Sequence, residues 1–165
     1  HTKQRTDYGF GTVIEEPVDC DFIVVTGSRS NVSDWQPWMD EVADLIRSAE
    51  VPIIGICFGH QIIAATFGGK VIRAKEGSHF VSPVTYRDGK QVNAVFTHQD
   101  HVIDPGELQV IASAEHCPIA ACIHPTRPIT TVQYHPEATP RIIFEAIKSG
   151  DMTKQEAEVF DMSKP

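Results

Sequence analysis

Val51-Pro-Ile-Ile-Gly-Ile-Cys-Phe-Gly-His-Gln61 is the stretch on which the fold turns. Val51 to Ile56 is apolar and rich in β-branched residues, the pattern of a strand buried on both faces. Gly55 and Gly59 bracket a sharp turn. Gln61 to Phe67 then reads as a helix that Gly68-Gly69 stops. At the centre, Gly55-Ile-Cys-Phe-Gly59 has the form of a nucleophile elbow, with cysteine where hydrolases place serine. The glycines let strand, turn and helix approach closely. The following helix aims its N–H groups and positive end at Cys57, which favours the thiolate. It also offers the backbone N–H of Phe58 to a developing oxyanion. Taken alone, these five residues are equally compatible with a buried structural cysteine.

Working outward, Phe22-Ile-Val-Val-Thr26 is a second apolar run that ends at Gly27-Ser28. It predicts an interior strand with neighbours on both sides, one of them Val51 to Ile56. Ahead of it Thr12-Val-Ile14 is the only apolar candidate, and it is short. The expected first strand is therefore missing, and the reading is that native sequence is absent from this end. Asn31 to Pro37 is polar. A helix is predicted from about Trp38 to Ser48, with Trp38, Val42, Leu45 and Ile46 on one face. From Lys70 to Phe96 the pattern changes to short alternating segments, and Arg87-Asp88-Gly89-Lys90 signals a hairpin turn. Short strands follow over Leu108 to Ser113, Ile119 to Ile123 and Ile129 to Tyr134. Arg141 to Lys148 reads as a helix, and Thr153-Lys-Gln-Glu156 as a capping box that starts a last short one.

Together these elements predict an α/β fold. Its central sheet should be mostly parallel, flavodoxin-like and flanked by helices, with a small antiparallel β portion added. A single domain is expected over residues 1–165, with its core at about 20–148.

Composition narrows the partners. The 165 residues are 41% hydrophobic and 22% charged, with a net charge of −8. So acidic a chain repels phosphate backbones, and nucleic acid is not an expected partner. No apolar run approaches the ~20 residues that span a bilayer, so no membrane association is expected. The four cysteines, Cys20, Cys57, Cys117 and Cys122, lack the spacing of a disulfide framework. A reduced, cytoplasmic setting fits them. Cys117 and Cys122 lie near His116 and His124, but they read as core or strand residues, and no metal site is assigned.

The second motif is Gln133-Tyr-His-Pro-Glu137, directly after the predicted strand Ile129 to Val132. A cysteine nucleophile needs a base, and the base needs an orienting acceptor. In an extended chain His135 and Glu137 face the same way, and Pro136 disfavours helix at His135. On its own Thr97 to His101 reads as a polar loop between strands.

Gly55-Ile-Cys-Phe-Gly-His-Gln61, Thr97-His-Gln-Asp100 and Gln133-Tyr-His-Pro-Glu137, in that order and spacing, resemble class I glutamine amidotransferases. The resemblance covers roughly Phe22 to Lys148. Gly27-Ser28-Arg29 is similar to the stand-alone, GMP-synthase-like subgroup. The resemblance implies Cys57 as nucleophile, His135 as general base and acid, and Glu137 as its orienter. The oxyanion hole would use the backbone N–H of Phe58 and one from the Gly27-Ser28 loop. Gln61 and the Gln99-Asp100 backbone match positions that hold the amino-acid head of glutamine. Thr97 belongs to the same motif, and His98 is similar to a position beside the substrate pocket. His60 is expected to pack or cap.

The implied activity is hydrolysis of L-glutamine to glutamate and ammonia through a thioester on Cys57, with no metal or organic cofactor. The chain has no GxxxxGK[ST] loop to activate an acceptor. The ammonia-accepting synthetase would be a partner in trans or a missing fused domain. A stand-alone cysteine hydrolase of γ-glutamyl peptides or amides, and a catalytically silent regulatory module, are the rival readings.

Overall fold

The computed structural model describes residues 20–150 and 153–158. Its sheet grows from two short parallel strands, β1 (Ile23–Val25) and β2 (Ile53–Ile56), which pair Ile23 with Ile53 and Val25 with Gly55. Helix α1 (Pro37–Ser48) connects them. Its Met39, Ala43 and Ile46 are buried, so the inward face is centred slightly off the one the sequence predicts, with Trp38, Val42 and Leu45 at its margin. Arg127 closes the end of α1 by donating to the carbonyls of Ile46 (2.8 Å) and Ala49 (2.6 Å).

Helix α2 (Phe58–Thr66) starts directly after Cys57, earlier than the sequence indicates. The chain then runs out along β3 (Lys70–Tyr86), turns at Asp88-Gly89 and returns as β4 (Gln91–Asp104). Strands β5 (Gln109–Ala114), β6 (Cys117–Ile123) and β7 (Ile129–Val132) follow, then helices α3 (Pro140–Ser149) and α4 (Lys154–Glu158). The seven strands lie in the order β1-β2-β7-β6-β5-β3-β4.

The expectation of a mostly parallel sheet is corrected. Only β1 with β2 and β2 with β7 are parallel, while β3–β4, β3–β5, β5–β6 and β6–β7 are antiparallel. The cause lies in β3 and β4. The region expected to break into short segments is a long hairpin of 17- and 14-residue strands. Register shifts near Lys70 and between Arg73 and Ser78 let it bend without breaking the pairing. Thr97 to His101, which alone reads as a loop, lies inside β4.

Strand β1 has the expected neighbour β2 on one side. Among the described residues it pairs with β2 alone. Phe22, Val24 and Ile54 are 58%, 41% and 42% exposed, so one face of this corner is open and not doubly buried. The Thr12–Ile14 candidate lies outside the described residues.

Two apolar cores hold the elements. Met39, Ile46, Ile53, Ile62, Ile63 and Ile129 join α1 and α2 to the parallel strands. Val84, Phe96, Ala120, Ala121 and Tyr134 fill the antiparallel side. No described helix is long and apolar enough to cross a membrane.

Candidate active site

The site forms where the parallel strands end. Cys57 follows β2, His135 lies just beyond β7, and Gly27 follows β1, all at the same edge. The backbone N–H of Cys57 donates to the Val132 carbonyl (2.9 Å), which fixes the elbow to β7.

Cys57 has φ 53° and ψ −102°, and no other described non-glycine residue has positive φ. Such a conformation costs on the order of 1–3 kcal/mol and persists only where its surroundings over-determine it. The glycines provide that constraint. A β-carbon on Gly59 would stand 1.9 Å from the Val25 carbonyl oxygen, and one on Gly55 would stand 2.6 Å from Ile63 Cδ1. Strand, turn and helix therefore touch backbone to backbone, as the sequence predicts.

Gly27 reports how closely the other parts converge. A β-carbon built there would meet His135 Cε1 at 3.2 Å and Cys57 Cβ at 3.8 Å. The loop after β1, the elbow cysteine and the His135 ring thus close on one point. His135 Nδ1 lies 2.6 Å from Glu137 Oε1, as the extended His-Pro-Glu geometry predicts. This contact leaves Nε2 as the ring nitrogen on the other side, buried and without a hydrogen bond. Cys57 Sγ lies 3.8 Å from the Thr97 carbonyl.

Burial alone would depress the His135 pKa. The Cys57 sulfur and the Glu137 carboxylate outweigh it and raise that pKa to about 10. For Glu137, burial pushes upward, but the bond from His135 prevails and the pKa falls below its ordinary value. Both shifts favour the charged forms, imidazolium on His135 and carboxylate on Glu137.

The residues matched to substrate binding divide. Gln61 is buried, and its amide nitrogen donates to the Asp100 carbonyl (2.9 Å) and to Gln133 Oε1 (3.1 Å), which ties α2 to β4. Its side-chain donors therefore hold the scaffold. Asp100 is also buried, and its carboxylate accepts from the Ser33 backbone N–H (2.8 Å) and hydroxyl (2.9 Å). Gln99 is anchored to β3, accepting from Arg73 (2.5 Å) and donating to the Ala74 carbonyl (3.0 Å). Ser28 is exposed, and its hydroxyl accepts from Ser30 N–H (3.1 Å). Ser33 and Arg73 are the site supports that sequence reasoning missed. Neither lies in a motif, and Ser33 reaches Asp100 across 67 residues.

His60 packs, as expected. It is fully buried between Thr131 Oγ1 (2.8 Å) and the Ile119 carbonyl (3.1 Å), and burial lowers its pKa to about 4. His98 is buried and bonds within its own strand. Its Nδ1–H donates to the Asp100 carbonyl (2.9 Å), and burial lowers its pKa to about 3. The cysteines beyond the elbow are buried thiols, with burial raising Cys117 to about 12 and Cys122 to about 11.

The chain is similar to proteins of known family. The class I glutamine amidotransferase family model matches residues 5–146. A glutamine-hydrolyzing GMP synthase subunit of Sulfolobus acidocaldarius is 30% identical over 133 residues, covering 75% of this chain and 71% of that protein. The protein of the same name from Methanocaldococcus jannaschii is 36% identical over 104 residues, covering 57% of this chain and 55% of that protein. The chain thus spans a little over half the length of several curated relatives it matches. A glutamine amidotransferase structure from Thermotoga maritima superposes with a TM-score of 0.73 at 22% identity, covering 88% of this chain and 68% of that one, and so shares the fold. With a cysteine elbow, a His-Glu pair beside it and a family match over most of its length, the chain belongs to the class I glutamine amidotransferases.

Proposed function

We propose that this domain hydrolyses L-glutamine through a γ-glutamyl thioester on Cys57 and supplies ammonia to a partner synthetase. The observation that carries the reading is the convergence of the Cys57 elbow with His135 at Gly27, with Glu137 holding the far side of the ring. The Cys57 thiolate attacks the side-chain amide carbon. The oxyanion receives the backbone N–H of Phe58 and one from the Gly27-Ser28 loop. His135, protonated at Nε2, gives its proton to the departing nitrogen, and ammonia leaves. Water, deprotonated by His135, then cleaves the thioester to glutamate and restores the thiolate. Glu137 keeps the imidazole oriented and favours its charged form.

Gln61, Gln99 and Asp100 shape the wall that holds the amino-acid head, with Thr97 and His98 in the same strand. The relatives named as glutamine-hydrolyzing GMP synthase subunits support a synthetase carried on a separate polypeptide. The catalytic core is placed at about residues 20–148 of a single domain.

The test is glutamate release by the purified chain, alone and with a GMP-synthase-type synthetase partner. Cys57→Ala should lose at least about a thousandfold in turnover while keeping its circular dichroism spectrum. A glutamine-analogue electrophile should label Cys57 and no other cysteine. Undiminished hydrolysis by Cys57→Ala would overturn the assignment.

A further inference from the structure

Away from the elbow, on the antiparallel side, the structure brings His98, His101 and Cys117 together. One donor atom from each lies within 4.8 Å of the others. Two of the three come from β4 and the third opens β6. We propose that these residues form a binding site for a borderline-soft divalent metal, Zn2+ foremost, with the fourth position open to water.

His98 makes the strongest case. It is 6% exposed, and its Nδ1–H is spent on the Asp100 carbonyl. That bond fixes the tautomer and leaves the lone pair on Nε2, which is buried without any partner. A buried acceptor left unpaired costs about 1–3 kcal/mol. Metal-binding histidines almost always donate their other ring N–H to a carbonyl or carboxylate in this way. Aromatic packing places the His116 ring edge-on to Phe80 and Phe96, but it gives the ring nitrogen Nε2 no hydrogen bond. His116 Nε2 is a second buried nitrogen without a partner, its ring 6.2 Å from that of His98.

The donor set suits zinc. Two imidazoles and one thiolate are typical zinc ligands, at about 2.0–2.1 Å for nitrogen and 2.3 Å for sulfur. Tetrahedral ligands at those lengths stand roughly 3.4 Å apart, so the cluster must close by on the order of 1 Å. His101 is only partly buried and has room to turn, its ring centroid already 4.5 Å from that of His98. A cleft of about 460 Å³, lined by Ile72, Ala74, His101, His116 and Pro118, gives a route in. Binding replaces the Cys117 S–H, now donated to the Ile119 carbonyl (3.5 Å), with a sulfur–metal bond and releases that proton to water.

The test uses the full chain, stripped of metal and titrated with Co2+ and then Zn2+. We expect one equivalent of Co2+ to give thiolate-to-cobalt charge-transfer absorption with the d–d bands of a four-coordinate ion, displaced by Zn2+. Cys117→Ser should remove the charge-transfer band. His101→Ala should weaken Zn2+ at least about tenfold against a chromophoric chelator. Cys57→Ala, which removes the cysteine of the elbow, should keep the band. A band that disappears with Cys57→Ala and survives Cys117→Ser overturns the proposal, as does no band at all. If Cys117→Ser does not fold, His101→Ala decides, and unchanged Zn2+ affinity in that variant overturns the proposal.

Discussion

The elbow and the β3–β4 hairpin both reach the candidate active site, but they are built on opposite terms. In the elbow, backbones touch: a single methyl group at Gly59 would overlap the Val25 carbonyl. In the hairpin, side chains do the joining. Asp100 holds Ser33 and Gln99 holds Arg73, while the turn residue Gly89 has nothing within 4 Å of where a β-carbon would stand. The first region fixes the strained Cys57, the proposed nucleophile, and the second fixes the wall proposed to hold its substrate. The elbow should therefore fail abruptly under substitution, and the hairpin by degrees.

The largest effect is expected at Gly59. In Gly59→Ala the β-carbon meets Val25 O at 1.9 Å, Val25 C at 2.8 Å and Val25 Cβ at 3.0 Å, none of which can turn aside by a side-chain rotation. Strand β1 and helix α2 would have to separate. A loss of more than about 4 kcal/mol, or no folded protein at all, is expected in urea unfolding. A Gly59→Ala protein with a near-native midpoint would show that the elbow is not closed by backbone contact.

Next comes Asp100 on the hairpin. Asp100→Asn keeps the shape but removes the charge that Ser33 and Arg73 address at 2.8 and 3.4 Å. A cost of about 2 kcal/mol is expected, since hydrogen bonds to a buried charged group are worth roughly 1.5–3 kcal/mol. Glutamine KM should rise more than kcat falls, because the wall shifts while the Cys57–His135 geometry stays. Equal stability of Asp100→Asn and wild type would mean that the loop before α1 is held by other means.

These two regions also differ in how far the sequence revealed them. The elbow was legible because strand, glycine turn and helix are local, and each carries its own period or breaker. His135 and Glu137 were legible for the same reason, being two residues apart. The hairpin was not. Lys75, Glu76 and Gly77 are polar and exposed, so the outward residues of a long strand looked like a break between short ones. Thr97 to Asp100 look like a loop by composition, and only pairing with Arg73, Ser78 and His79 makes them a strand. Nothing local announces that pairing, nor the approach of His98, His101 and Cys117. The parallel majority expected for the sheet failed at the same place, because the hairpin and β5–β6 outnumber the strands that the elbow organises.

The His135–Glu137 pair gives a test that belongs to the elbow alone. The His135 pKa is raised to about 10, so protonation favours the folded state. Its contribution is fully present below its ordinary pKa near 6.5 and is lost as pH rises toward about 10. Glu137 is lowered from its ordinary 4.5, so its contribution is present above that value and is lost as pH falls below it. Stability should therefore be greatest between those limits and decline through the alkaline range. In Cys57→Ala the sulfur is gone, so the His135 ring should titrate lower by NMR and the alkaline decline should flatten. An unchanged His135 titration in that variant would mean the sulfur and imidazole do not interact.

The smallest effect is expected from the same glycine-to-alanine change at the hairpin turn. Gly89 has φ +85° and open space around it, so Gly89→Ala meets no atom and carries only the left-handed backbone penalty. That penalty is about 1–2 kcal/mol for an L-residue. The unfolded chain loses freedom on the same substitution, which returns about 0.4–1 kcal/mol. The balance is a loss of about 0.5–1 kcal/mol, seen as a lower urea midpoint with an unchanged slope. Gly89→Asn should recover most of it, because asparagine tolerates the left-handed region. Neither variant should alter glutamine hydrolysis, since the turn lies at the end of the hairpin remote from Thr97 to Asp100. If Gly89→Ala proved as damaging as Gly59→Ala, positive φ rather than backbone contact would set the cost of glycine replacement, and the contrast between the two regions would collapse.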